Sequence, residues 1–155
     1  MRQTIALCGS SLCVEEMLEC LAAKLQSRGL IIIDSATMID PRPFRTFSRK
    51  VHIIRPSKAS QLRALAEARL EKLLLKTYAE SVLITSIADM FRVIDSEELP
   101  FVVDHVLDRL KHLQQEYGIR LIAGCTGTQP FIEKRFQQSA TLTIDLAKLQ
   151  APNVL

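Results

Sequence analysis

Cysteine and histidine are the side chains in this sequence most able to do chemistry unaided, and their spacing limits what that chemistry can be. The cysteines stand at positions 8, 13, 20 and 125. No two form a Cys-x-x-Cys pair and none has a histidine at zinc-ligand spacing, so reduced thiols are expected rather than a metal site. His105 and His112 fall two turns apart on one expected helix, but no clustered third ligand accompanies them, and surface or structural roles are expected for both. Cys8 and Cys125 are each expected at a strand end, where two thiols can serve as the acid and base of a cofactor-independent racemase. No substrate-holding motif surrounds them, so buried, inert thiols are the expectation. The turn Gly124-Cys125-Thr126-Gly127-Thr128 offers backbone amides that can hold an anion.

Charge is the second resource. The formal net charge is +3, yet Pro41 to Ala66 holds Arg42, Arg45, Arg49, Lys50, Arg55, Lys58 and Arg63 without an acidic residue. That stretch contributes +7, so the remainder sums to 3 − 7 = −4. Phe44 and Phe47 interleave with its arginines, a pattern suited to single-stranded nucleic acid, whose phosphates pair with charge while its bases stack on rings. Arg42, Arg45, Arg49 and Lys50 are therefore candidate DNA-binding residues; the competing reading is a solvated loop with two core phenylalanines. Lys134 and Arg135, followed by Gln137 and Gln138, form a second candidate, against which stands a solvated helix turn.

These residues need a frame to place them. The 155 residues, 48% hydrophobic and 24% charged, are enough for one domain that buries about two-thirds of its unfolded surface. Apolar runs such as Leu30 to Ile33 are too short to cross a bilayer, and the start lacks an export signal, so an intracellular protein is expected. Thr4 to Cys8 reads as a strand ending at Gly9-Ser10-Ser11. Val14, Met17, Leu18, Leu21, Ala22 and Leu25 give the next helix one apolar stripe, which Gly29 closes. Leu30 to Asp34, Val51 to Arg55, Val82 to Ser86 and Arg120 to Gly124 read as further strands, and Thr141 to Leu146 as a sixth. Helices are expected from Lys58 to Tyr78, with Ser57 as cap, and from Ser96 to Tyr117, closed by Gly118. Strands alternating with helices imply an α/β fold, a mostly parallel twisted sheet with helices on both faces.

In such a sheet ligands bind beyond the carboxyl ends of the strands. Read in order, those ends resemble the RecA/RadA recombinase and KaiC-like family of P-loop NTPase cores. Ala6-Leu7-Cys8-Gly9-Ser10-Ser11 stands where that family has its phosphate loop, and Ile31-Ile32-Ile33-Asp34-Ser35-Ala36 is similar to its Ile-Asp-Thr-Glu strand. Val51-His52-Ile53-Ile54-Arg55-Pro56, followed by Gln61-Leu62, resembles the next strand and helix opening. Leu83-Ile84-Thr85-Ser86, running on to Phe91-Arg92, looks like the Walker B stretch. Leu121 to Gln129 is similar to the strand that ends in the nucleotide-sensing switch. The resemblance implies a sheet in which the first strand lies between the fifth and the sixth.

The departures from that family decide the expected function. A working phosphate loop ends in Gly-Lys-Ser/Thr, whereas counting from Gly9 puts Val14, Glu15 and Glu16 at those positions. Exchanging a lysine for an acid at ~4 Å from phosphate, at an effective dielectric near 20, is worth about 8 kcal/mol. Thr85 stands for the Walker B aspartate and Ala36 for the glutamate that activates water. The resemblance therefore implies a pseudo-ATPase: no catalytic residue, no cofactor and no metal. Its expected role is an accessory subunit of DNA recombination and repair, binding DNA, preferably single-stranded, and a RecA/RadA-type recombinase or paralogue in a dimer or heterocomplex. Two alternatives stand beside it: a small-molecule enzyme using Cys8, Asp34, Asp89 or Cys125, and a KaiC-like regulatory domain with no nucleic-acid role.

Overall fold

A computed structural model describes residues 3–42 and 50–150. Six strands, β1 (Gln3–Cys8), β2 (Leu30–Ile33), β3 (Val51–Ile54), β4 (Ser81–Ile84), β5 (Arg120–Cys125) and β6 (Leu142–Asp145), form one sheet in the order β3-β2-β4-β5-β1-β6. Every pairing is parallel. β1 lies between β5 and β6, as the resemblance implies. The continuous apolar run Leu30 to Ile33 is explained by cover on both faces: Ile31 and Ile33 enter one core, Leu30 and Ile32 the other.

One face is covered by α1 (Ser11–Leu25), which buries Val14, Leu18, Ala22 and Leu25. This helix starts three residues before the expected Val14. Ser10 explains the shift: its extended backbone and its hydroxyl, which accepts from the Cys13 amide at 3.3 Å, cap the helix there. A 3-10 turn (Gln26–Arg28) then leads to Gly29, whose φ of +85° ends the segment.

The other face is covered by α2 (Ala59–Ala64), α3 (Leu70–Thr77), α4 (Leu99–Tyr117) and α5 (Pro130–Ser139). Leu65–Arg69 joins α2 to α3 as a π turn inside what the sequence reads as one helix. The apolar spacing supplies the reason. Leu62, Ala66, Leu70 and Leu74 recur every four residues, so on a 3.6-residue helix the stripe drifts about 40° per step, and one wider turn returns it to the sheet. Arg109 on α4 donates to the Ala66 carbonyl in that turn at 3.1 Å. Ser57 does not cap α2; instead its amide and hydroxyl both donate to Gln61 Oε1, at 2.8 and 3.1 Å. Residues 96–98 form a turn, and α4 begins at Leu99 with Pro100 in its first turn, where its missing N–H costs nothing. A short α6 (Leu146–Gln150) follows β6. Among the described residues no helix is long and apolar enough to cross a membrane.

Candidate site at the carboxyl ends of the strands

The connection from β1 to α1 is two residues long, Gly9 and Ser10. Gly9 fits a tight approach: its amide donates to the Cys125 carbonyl at 3.2 Å, and a Cβ there would lie 3.2 Å from Leu146 Cβ. The residues that a phosphate loop would use to wrap around a ligand are already wound into α1. Val14 is fully buried, and its Cγ1 lies 2.6 Å from where a Cβ on Gly124 would stand, so α1 and β5 touch at this point. Glu15 is half-buried and Glu16 exposed on the same helix. The sequence reading placed an acid against a bound phosphate; in the structure Glu15 stands in the second turn of α1, beyond a connection of only two residues.

Asp34, just beyond β2, has a side chain wholly out of solvent. Its Oδ1 accepts from the Met38 amide at 2.8 Å and the Thr85 hydroxyl at 3.0 Å. Its Oδ2 accepts from the Ile39 amide at 3.1 Å and from Arg55 Nε at 3.1 Å. All four of these donors come from the chain itself, which is what makes a buried carboxylate tolerable. Thr85 completes the network by accepting from the Ala36 amide at 3.1 Å. Beside it, the Ser35 hydroxyl donates to the Ser86 carbonyl at 2.6 Å. The positions that resemble the magnesium- and water-handling residues thus tie the ends of β2, β3 and β4 together. Asp89 lies on a 3-10 turn (Asp89–Phe91) at the rim of a cleft of about 330 Å3 that Arg92, Ser96 and Gln129 also line.

Cys8 and Cys125 are in-register partners on β1 and β5, both turned toward α5. Gln137 Nε2 on α5 donates to Cys8 Sγ at 3.3 Å, and the two thiols are hydrogen-bonded to each other. Burial, then the neighbouring Cys8, pushes the Cys125 thiol up to about 12. Burial also raises Cys8, an effect only partly offset by its bond to Cys125. A racemase needs two thiols on opposite sides of a substrate with an accessible thiolate; these are side by side and held protonated. The anion-holding turn after β5 is filled from within. Glu133, buried on α5, accepts from the Thr126 amide at 3.0 Å and the Gly127 amide at 3.0 Å.

The candidate nucleic-acid residues are dispersed. Arg42, near the carboxyl end of β2, pairs with Asp40 at 2.7 Å. Lys50 precedes the amino end of β3 and donates to the Ser27 carbonyl at 3.1 Å. Arg135 pairs with Asp104 of α4, and Lys134 beside it is exposed. Arg45 and Arg49, with Phe44 and Phe47, lie outside the described residues. Arg55 pairs with Asp34 and Arg63 with Glu98, so acids from outside the acid-free stretch neutralise much of its charge. His105 and His112 are exposed on α4, near Glu67 at 4.0 Å and Glu116 at 2.9 Å. Sequence reasoning missed Glu133 and grouped Gln137 with the second DNA-binding candidate, whereas the contacts of both come from one helix crossing the ends of β1 and β5.

No family model and no curated protein matches this sequence. Among solved structures, a KaiC-like protein from the hyperthermophilic archaeon Pyrococcus horikoshii OT3 is similar, with a TM-score of 0.59 at 15% identity, over 93% of this chain and 71% of that one. At that identity the likeness speaks for the arrangement of the backbone, and with the strand order described above it gives the chain a RecA-type α/β fold.

Proposed function

We infer that this chain is a non-catalytic RecA-fold subunit, which binds DNA and a RecA-type partner in recombination or repair rather than hydrolysing ATP. The observation that carries the reading is the two-residue β1–α1 connection with Val14 packed beneath it. Phosphate binding by this fold relies on a loop whose backbone amides surround the anion and a lysine that reaches it, and neither has a place here. The internal bonding of Asp34 and Thr85 supports the same reading, since both groups are already committed to the chain's own donors and acceptors. The raised thiols of Cys8 and Cys125 weigh against a small-molecule enzyme at the strand ends.

The DNA component draws on the exposed Lys50, Lys58 and Lys134, together with Arg45 and Arg49. Titration of labelled single-stranded DNA at several salt concentrations tests it. Log affinity is expected to fall linearly with log salt, with a slope of about −0.7 for each phosphate neutralised. Affinity without salt dependence, or none with or without a copurified partner, removes the nucleic-acid role. Magnesium-dependent ATP capture followed by phosphate release removes the non-catalytic one.

A further inference from the structure

The amino ends of the strands, opposite the positions discussed so far, hold a cavity of about 420 Å3. Its wall includes Arg28, Tyr78, Glu80, Tyr117, Gly118 and Arg120. The volume falls within the range of small-molecule sites. The chain has two tyrosines and no tryptophan, and both tyrosines line this one cavity.

Tyr78 caps α3, its amide donating to the Leu74 carbonyl at 3.0 Å, but its conformation is one that a ring seldom adopts. It ends α3 in the left-handed conformation, with φ +53° and ψ +33°, which glycine and asparagine adopt readily and a bulky side chain does not. It is also 83% exposed, so packing does not offset the strain. Residues held this way concentrate at ligand sites. Tyr117 is its opposite. Its hydroxyl bonds to Glu71, Glu71 pairs with Arg109 at 3.5 Å, and Arg109 is held by the Ala66 carbonyl of the π turn. One ring is therefore a fixed wall and the other an exposed platform on the same space.

Rings combined with guanidinium groups select a ligand that has a planar aromatic face and an anionic group. Lys50, bonded to the carbonyl of the residue before Arg28, adds a third cation at this end of the sheet. Two features oppose a bare anion. Glu80 lies in the wall, and the carboxyl ends of the Gln26–Arg28 turn, α3 and α4 bring negative partial charge. The aromatic part must therefore contribute much of the affinity.

We propose that this cavity binds a nucleotide unit, its base stacked on tyrosine and its phosphate paired with Arg28, either as a free mononucleotide or as one residue of a single strand. The site is independent of the reading above, because it requires neither the loss of hydrolysis nor a recombinase partner.

The two tyrosines make the test direct. In the full chain with isotope-labelled tyrosine, the ring signals in an NMR spectrum come from this cavity alone. AMP shifts both rings in a saturable way, adenosine binds about tenfold more weakly, and inorganic phosphate moves neither. A short oligothymidylate that moves the same signals identifies the single strand as the source; AMP acting alone identifies the free nucleotide. Tyr78→Ala weakens binding about tenfold, within the range measured for loss of one stacking ring. Gly118→Asn places a side chain in open space at a φ of +62° that asparagine tolerates, and abolishes binding while the Tyr117 signals keep their folded positions. Rings unmoved by both AMP and the oligonucleotide at millimolar concentration overturn the proposal. So does an oligonucleotide that binds by anisotropy while both rings stay still, an outcome that leaves the DNA-binding role standing and places it elsewhere.

Discussion

Replacing Asp34 with asparagine separates a structural carboxylate from a ligand-binding one. The side chain keeps its volume, but one of its two oxygens becomes an NH2 donor. Both oxygens now face donors: Met38 and Thr85 on one side, Ile39 and Arg55 on the other. The less costly orientation turns the new amide toward Met38 and Thr85, since a hydroxyl can rotate and a guanidinium cannot. One buried backbone N–H then meets a donor, at about 1–3 kcal/mol, and Arg55 exchanges a charge-assisted bond for a neutral one at roughly 1 kcal/mol more. The sum is about 3 kcal/mol, or a fall in Tm of roughly 6–12 °C for a chain of this size. Urea unfolding followed by circular dichroism reads it as a lower midpoint at unchanged slope. Thr85→Val removes the hydroxyl that serves Asp34 and Ala36, at about 1–2 kcal/mol. The double variant loses less than the sum of the two by about 1 kcal/mol, because the bond between them is counted twice. A change below ~1 kcal/mol for Asp34→Asn refutes the account. So does magnesium-ATP stabilisation of the native chain that the variant lacks, which would make Asp34 a ligand-binding group.

Gly124→Ala is expected to destabilise by about 3 kcal/mol, because its Cβ would lie 2.4 Å from the Thr85 carbonyl oxygen and 2.6 Å from Val14 Cγ1. Adding Val14→Ala does not restore the midpoint, since the nearer obstacle is backbone; a full rescue in denaturant melts would contradict this packing. The Cys125 thiol, at about 12 in the folded chain against 9.0 ordinarily, keeps its proton when the unfolded thiol has lost it. Its contribution to stability is therefore whole below pH 9 and declines as pH rises from 9 toward 12. Cys125→Ala should flatten that alkaline limb in melts across the range. In native thiol labelling the exposed Cys20 reacts first, and Cys125 reacting as fast as Cys20 would show that its burial is misjudged.

Much of the backbone was legible because the inner strands β2, β4 and β5 are apolar runs with covered faces and each long helix carries an apolar stripe. The positions of Gly29 and Gly118 marked two boundaries correctly because both adopt positive φ at a helix end. The starts of helices were less legible. At α1 the cap Ser10 preceded the first buried apolar position, and the reading waited for Val14. At α4, Ser96 looked like a cap, while Pro100 fixed the start at Leu99. The π turn was written in the four-residue spacing of Leu62, Ala66, Leu70 and Leu74, a signal that a search for helical periodicity absorbs without notice. α5 was expected only as a solvated helix turn, weighed as the alternative at Lys134 and Arg135, and α6, five residues long, was not expected.

The candidate site could be read from the sequence as a set of positions but not as a set of ion pairs. An acid-free stretch of sequence is a one-dimensional count, whereas ion pairing is three-dimensional: Asp34, Asp40 and Glu98 lie outside the stretch and meet Arg55, Arg42 and Arg63. The anion-holding turn shows the same principle in reverse. Its amides are oriented for a carboxylate or phosphate, and the sequence could not reveal that Glu133, six residues beyond Gly127, already supplies one. Strand ends in this fold concentrate unpaired donors, and an enzyme leaves them for substrate. Here Asp34 and Glu133 meet six such donors from inside the chain, four at Asp34 and two at Glu133, which ties the sheet ends together. Tyr78 has the opposite character: its amide caps α3, but its ring stands exposed on a left-handed backbone. The nucleotide site proposed at the amino ends of the strands draws on that ring.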